Sequence, residues 1–162
     1  MARGGQTMLK EGAQAPEFSL SANHGKTVSL KDFKGKKRVV LYFYPKDDTP
    51  GCTVEACGFR DKIKEIENQE TIVLGVSPDA EASHHKFVEK FKLPFLLLSD
   101  VDKKVCNAYG VWVKKSMYGR EYMGVARTTF ILGKEGTIEK IYEKVKPEGH
   151  NEEVLGFLKT QK

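Results

Sequence analysis

Arg38-Val39-Val40-Leu41-Tyr42-Phe43-Tyr44 runs straight into Pro45-Lys46-Asp47-Asp48-Thr49-Pro50-Gly51-Cys52-Thr53-Val54-Glu55-Ala56-Cys57. The first stretch is apolar, β-branched and aromatic, the pattern of a buried strand. Two prolines, two aspartates and a glycine then forbid regular structure from Pro45 to Gly51. Beyond Cys52 the apolar residues Val54, Phe59, Ile63 and Ile66 fall at helical intervals, so a helix is predicted over Cys52–Glu67. Cys52 therefore lies where a buried strand hands over, through a stiff loop, to the first turn of a helix. The first N–H groups of a helix lack internal partners and carry partial positive charge. A sulfur anion is stabilised there, and the thiolate is the nucleophilic form of cysteine. Cys52 is read as a reactive cysteine.

Outward from this junction the chain alternates strands and helices. Thr71–Ser77 is a second wholly apolar run, which makes strand–helix–strand a right-handed βαβ unit with parallel strands. Ala82, Phe87, Val88 and Phe91 mark a helix between Pro78 and Lys92, Phe95–Leu98 a further strand, and Asp102–Tyr109 a short helix stopped at Gly110. Val111–Val113 and Arg127–Leu132 read as strands separated by a polar, Gly-containing loop over Lys114–Met123. Gly133–Gly136 turns the chain into Thr137–Tyr142, and Asn151 is placed to cap a last helix bearing Val154, Leu155, Phe157 and Leu158. Near the start, Asn23-His24-Gly25-Lys26 is a turn between short strands, and Lys31-Asp32-Phe33 a helical turn ended by Gly35. The expected architecture is α/β and thioredoxin-like: a mixed central β-sheet flanked by helices, with an N-terminal β-hairpin added. Residues 1–8 are expected to be a flexible tail and residues 9–162 a single domain.

Composition narrows the function. The 162 residues carry 27 Lys+Arg against 22 Asp+Glu, a formal charge of +5. The lysines are interspersed with acids, and Lys34-Gly35-Lys36-Lys37-Arg38 reads as a solvated strand flank, so no nucleic-acid partner is expected. No apolar run approaches the roughly 20 residues of a membrane span, and Met1–Gln6 lacks the apolar core of a signal peptide. The cytoplasm is the expected compartment. Three cysteines do not make a disulfide scaffold, which makes their role chemical rather than structural.

Cys52 and Cys57 stand five positions apart. On an intact helix that is a rise of about 7.5 Å and a rotation of roughly 140°. A disulfide needs α-carbons within about 7 Å and converging side chains, so the two join only if the helix start unwinds. The spacing is not the C-x-x-C of a dithiol oxidoreductase. Nor is it a zinc set, since His84-His85 fall in another predicted helix. An arginine beside the sulfur would stabilise its anion and offer a fork of donors to an oxygen-bearing substrate. The candidates are Arg60, more than two turns along the helix, and Arg127, at the start of a strand. Spacing does not decide between them.

Pro45-x-x-x-Thr49-x-x-Cys52 resembles the peroxiredoxin active-site motif. The longer string Tyr42–Asp47, Thr49–Thr53 and Phe59-Arg60-Asp61 is similar to the Q-type, or bacterioferritin-comigratory, subfamily. So are Leu97-Leu98-Ser99-Asp100, Tyr109-Gly110-Val111-Trp112 and Arg127-Thr128-Thr129-Phe130. The resemblance implies a cytoplasmic, antioxidant thiol peroxidase, acting on hydrogen peroxide and organic hydroperoxides without cofactor or metal. It implies Cys52 as peroxidatic cysteine and Cys57 as its resolving, disulfide-forming partner. Thr49 is implied to hydrogen-bond the thiolate and peroxide, Pro45 to shield the pocket, and Arg127, in preference to Arg60, to be the pocket arginine. It also implies thioredoxin as reductant and a monomer as the expected state, with a dimer as the alternative. Cys106, beside Val105 and Ala108, reads as a buried structural thiol and a weaker candidate for resolving Cys52. Two other functions compete: a redox sensor or holdase-like protein switched by Cys52 oxidation, and a disulfide reductase, against which the missing C-x-x-C argues.

Overall fold

β3 (Arg38–Phe43) is apolar at every position after Arg38 because both of its faces are covered. Val39, Leu41 and Phe43 point into one hydrophobic cluster, Val40 and Tyr42 into another, and Tyr44 continues the second set. The computed structural model describes residues 8–161, so of the expected N-terminal tail only Met8 falls within it, and that residue is exposed.

The chain enters through a hairpin, β1 (Ser19–Ala22) and β2 (Thr27–Ser29), and a 3-10 turn over Leu30–Phe33, both as the turn signals predict. After β3 come α1 (Pro50–Asp61), α2 (Ile63–Glu67), β4 (Thr71–Ser77), α3 (Glu81–Phe91), β5 (Leu96–Ser99) and α4 (Lys104–Ala108). Then follow β6 (Trp112–Met117), β7 (Arg120–Val125), β8 (Thr128–Leu132), β9 (Ile138–Tyr142) and α5 (His150–Thr160). Seven strands form a mixed sheet in the order β2-β1-β5-β4-β3-β8-β9. β3, β4 and β5 are parallel, while β1 and β8 flank them antiparallel. One face is packed by α1, α2, α3 and α5 through Phe59, Ile66, Phe87 and Leu158. The other is packed by α4 and the N-terminal segment through Cys106, Tyr109, Phe18 and Leu30. This is the mixed, helix-flanked, thioredoxin-like sheet expected from the sequence. Among the described residues no helix is long and apolar enough to cross a membrane.

The structure corrects several local expectations. The predicted Cys52–Glu67 helix starts two residues earlier, with Thr49 as N-cap and Pro50 at its first position, where a missing N–H costs nothing. It also breaks at Lys62 (φ −111°, ψ 10°), so Ile66 turns into the core from a separate short helix. Val54 is exposed, and Glu55 and Ala56 take the inner positions instead. In α3 the same exchange puts Ala82 in solvent and His84 inside. Asn151 does not cap α5. Gly149, with φ +81°, holds that place, and Asn151 Nδ2 donates to Gly58 O at 2.9 Å, tying α5 to α1. Lys114–Met123 is not a loop but most of the β6–β7 ribbon, turned at Tyr118-Gly119 with both φ positive. It was unreadable as strand because it is exposed over most of its length, so no apolar alternation marks it.

Gly75 in the middle of β4 is set by close approach. A Cβ there would lie 2.7 Å from Leu97 Cδ2 and 2.9 Å from Tyr42 Cζ and Oη. Gly75→Ala is therefore expected to destabilise the fold by about 1–3 kcal/mol through overpacking, read as a lower midpoint in urea unfolding.

Candidate active site

The site forms where β3 ends. Tyr44 is buried, Pro45 offers no N–H to a ladder, and Asp48 turns the chain through a left-handed conformation (φ +57°). Thr49, extended, ends the loop and accepts Thr53 N–H at 2.8 Å through its carbonyl, which launches α1. Cys52 is thus the third helical residue, within the first turn, where N–H groups lack helical acceptors. Its residue is only 1% exposed.

Arg127 is the residue immediately before β8. Its Nη2 donates to Cys52 Sγ at 3.4 Å and its Nη1 to Glu55 Oε1 at 2.7 Å. Gly51 makes the approach possible, since a Cβ there would stand 3.1 Å from Nη2 and 3.4 Å from Pro147 Cγ. The backbone carbonyl of Arg127 accepts from Val145 N–H at 3.1 Å. Of the Cys52, Glu55 and Arg127 side chains, that of Arg127, 18% exposed, is the one that meets solvent. Arg60 goes elsewhere: its Nε donates to Asp61 and its Nη1 to Phe91 O at 2.8 Å, fastening α1 to the end of α3. The choice that spacing left open thus has a geometric answer.

Thr49, Pro45 and Cys57 belong to the same loop and helix as Cys52. Thr49 is half-buried, and its hydroxyl donates within the loop to Lys46 O at 2.9 Å. With its one proton so used, it meets a neighbour as an acceptor. Pro45 is half-buried at the loop's start. Cys57 is half-buried on the same unbroken helix as Cys52, and both thiols are free. Cys106 is fully buried in the cluster on the opposite face of the sheet from Cys52. Burial first, then its hydrogen bond and proximity to Asp100, push the Cys106 thiol far up from the ordinary cysteine range. It is an inert core thiol with the sheet between it and Cys52.

Glu55 is the site residue that the sequence reading missed. It lies one turn beyond Cys52, 1% exposed, and its Oε2 has no hydrogen-bond partner among the described residues. Burial, opposed by Arg127, raises its carboxyl from 4.5 to about 7. The signal was available: a C-x-x-E spacing puts both side chains on one helix face. Lys115 of the β6–β7 ribbon also faces this region. Burial lowers its ammonium, the Arg127 cation lowers it further, and the Cys52 sulfur opposes both. The arrangement is a buried sulfur at a helix start, held against a cation that it shares with a buried carboxylate.

The AhpC/TSA family profile matches residues 12–141. Peroxiredoxin Bcp of Bacillus subtilis is 50% identical over 151 residues, covering 93% of this chain and 96% of the relative. Peroxiredoxin Q of Xanthomonas campestris superposes with a TM-score of 0.86 at 37% identity, covering 96% of this chain and 98% of its own. A structure of the bacterioferritin comigratory protein of the same organism, described with its alkyl peroxide reduction activity, gives the same TM-score, identity and coverage.

Because folded Glu55 keeps its proton to about pH 7 while the unfolded chain loses it near 4.5, the folded state binds more protons between those values. Its contribution to stability is fully present below about pH 4.5 and is lost as pH rises through about 7, by on the order of 3 kcal/mol at most. Glu55→Gln is expected to flatten that part of the stability-against-pH curve, measured by denaturant unfolding across pH 4–8.

Proposed function

The chain belongs to the AhpC/TSA family, with the Bcp and Q peroxiredoxins as its relatives, and from that membership we propose that it reduces hydrogen peroxide and organic hydroperoxides through Cys52. The observation that carries the reading is the Arg127 Nη2–Cys52 Sγ contact at the first turn of α1. A guanidinium there stabilises the thiolate before reaction and the charge that develops on the leaving oxygen during it.

The Cys52 thiolate attacks one peroxide oxygen. An S–O bond forms, the O–O bond breaks, and the departing hydroxide or alkoxide takes a proton to leave as water or alcohol, with a sulfenic acid on Cys52. Thr49 Oγ1, its proton given to Lys46 O, accepts from the peroxide O–H and aligns the O–O bond. Pro45 fixes the backbone at the pocket's edge. Cys57 sulfur then attacks the sulfenic sulfur, forming S–S and expelling the oxygen as water. Both cysteines sit on one intact helix, so this step requires the start of α1 to unwind. A dithiol reductant of the thioredoxin type exchanges with the disulfide, becoming oxidised as both thiols return. In this reading the chain works as a monomer.

Cys57→Ser is expected to abolish turnover driven by thioredoxin while leaving the first oxidation of Cys52 intact, and Cys52→Ser to abolish both. The assay is peroxide consumption at steady state beside single-turnover oxidation. Stoichiometric oxidation of the wild type without turnover would instead favour a redox switch. Arg127→Ala is expected to slow Cys52 oxidation roughly a hundred- to a thousandfold, measured by competition for peroxide.

A further inference from the structure

Between Tyr44 and Cys52 the loop has one buried side chain, Asp47; its neighbours Lys46 and Asp48 are exposed and Pro45 and Thr49 half-buried. Asp47 Oδ1 accepts from Tyr44 Oη at 2.5 Å, and Oδ2 accepts from Ser83 Oγ at 2.7 Å. Asp47 N–H donates to Asp79 Oδ2 at 2.7 Å, an oxygen that also takes Ser77 Oγ at 2.8 Å. The carboxylate's remaining partner is His84 Nδ1, 2.7 Å from Oδ2, and His84 Nε2 stands 2.9 Å from Leu98 O. Both side chains are almost wholly buried.

Hydrogen-bond arithmetic, with Asp47 taken as the carboxylate, gives the state of this ring. Leu98 O only accepts, so Nε2 carries a proton. An ionised Asp47 only accepts, so Nδ1 carries one too. His84 is then the counter-charge that lets a carboxylate stay buried in the loop, and it is itself moored to β5. The donor atoms of Asp47, Asp79 and His84 lie within 4.8 Å of one another, but each of the three residues is already engaged in these protein hydrogen bonds.

The geometry points to His84 as a positioning residue for the peroxidase site: through Asp47 it holds the Pro45–Thr49 loop, and with it the first turn of α1, in the peroxide-reactive arrangement. This rests on the function proposed above and adds residues that none of its steps uses. Asp47 is joined to the end of β3 by Tyr44, to the end of β4 by Asp79, to α3 by Ser83 and His84, and through His84 to β5. Thr49 follows two residues later and Cys52 five. The anchor also sets where unwinding begins, because the chain up to Asp47 stays fixed while the residues beyond it are released.

The test uses His84→Gln, Asp47→Asn and the double variant in the full chain. Each single change is expected to slow Cys52 oxidation by peroxide roughly ten- to a hundredfold, and to raise the fraction of Cys52 sulfenic acid that goes to disulfide rather than to sulfinic acid, read by mass spectrometry. The double variant is expected to be no slower than the worse single one, since both remove one contact. The nitrogen spectrum of the wild-type ring is expected to show a proton on each His84 nitrogen, and Asp47→Asn to remove the one on Nδ1. Single variants that oxidise at the wild-type rate, effects that multiply in the double variant, or a bare Nδ1 in the wild type would each overturn the role. The ring spectrum needs no variant to fold. A wild type that consumes no peroxide overturns the peroxidase reading along with this one, whereas a reactive wild type beside equally reactive variants overturns the positioning role alone.

Discussion

One guanidinium divided between a sulfur and a buried carboxylate is the interaction on which the site depends. Arg127 is 75 residues from Cys52 in sequence, and the β3–β8 pairing brings them together. Phe43 lies opposite Thr128 and Tyr42 opposite Thr129, so continuing the antiparallel register puts Arg127 beside Tyr44. Opposed residues share a face, and Tyr44 faces the cluster that contains Cys52. A slip of one residue would turn the guanidinium to the other side of the sheet. The same register sends Thr129 to the α5 side, where its hydroxyl meets His150 Nε2 at 2.8 Å. Sheet geometry, not local sequence, supplies the cation.

Glu55 makes that cation a shared one. While ionised it claims Arg127 Nη1, and once protonated it leaves more of the positive charge to the sulfur. Its orphaned Oε2 means that neither state is fully satisfied within the described residues. A buried carboxylate with an incomplete hydrogen-bond set is a cost to the fold, offset in part by the charged hydrogen bond that its other oxygen takes from Arg127. The two faces of the sheet divide the thiols in the same spirit. Cys106 is buried on one face with the Asp100 carboxylate beside it, while Cys52 on the other is set against the Arg127 cation.

The sequence made the apolar framework legible. The uninterrupted runs at Arg38–Tyr44 and Thr71–Ser77 became β3 and β4 as drawn, because a strand covered on both faces has no other composition available. The loop-to-helix junction was legible to within two residues, because Pro50 and Gly51, read as loop, open α1 instead. What escaped was polar and long-range. Glu55 pairs across 72 residues and Asp47 across 37, and nothing local says that an aspartate in a polar loop or a histidine on a helix is buried. Helical periodicity placed Val54 and Ala82 inside for their apolarity, but the inner positions went to Glu55 and His84, whose distant partners made burial affordable. The ribbon over Trp112–Val125 escaped for the opposite reason, being too exposed to leave a hydrophobic pattern.

The Asn151–Gly58 hydrogen bond gives the chain a second fixed point, immediately past Cys57. Between it and the Asp47 anchor lie about ten residues, so a segment released from α1 is a short tether staked at both ends. The entropy of closing so short a loop is small, so in the proposed cycle the two sulfurs stay at high effective concentration while α1 is unwound. Disorder is thereby rationed: enough slack for two sulfurs to meet, too little for them to drift apart.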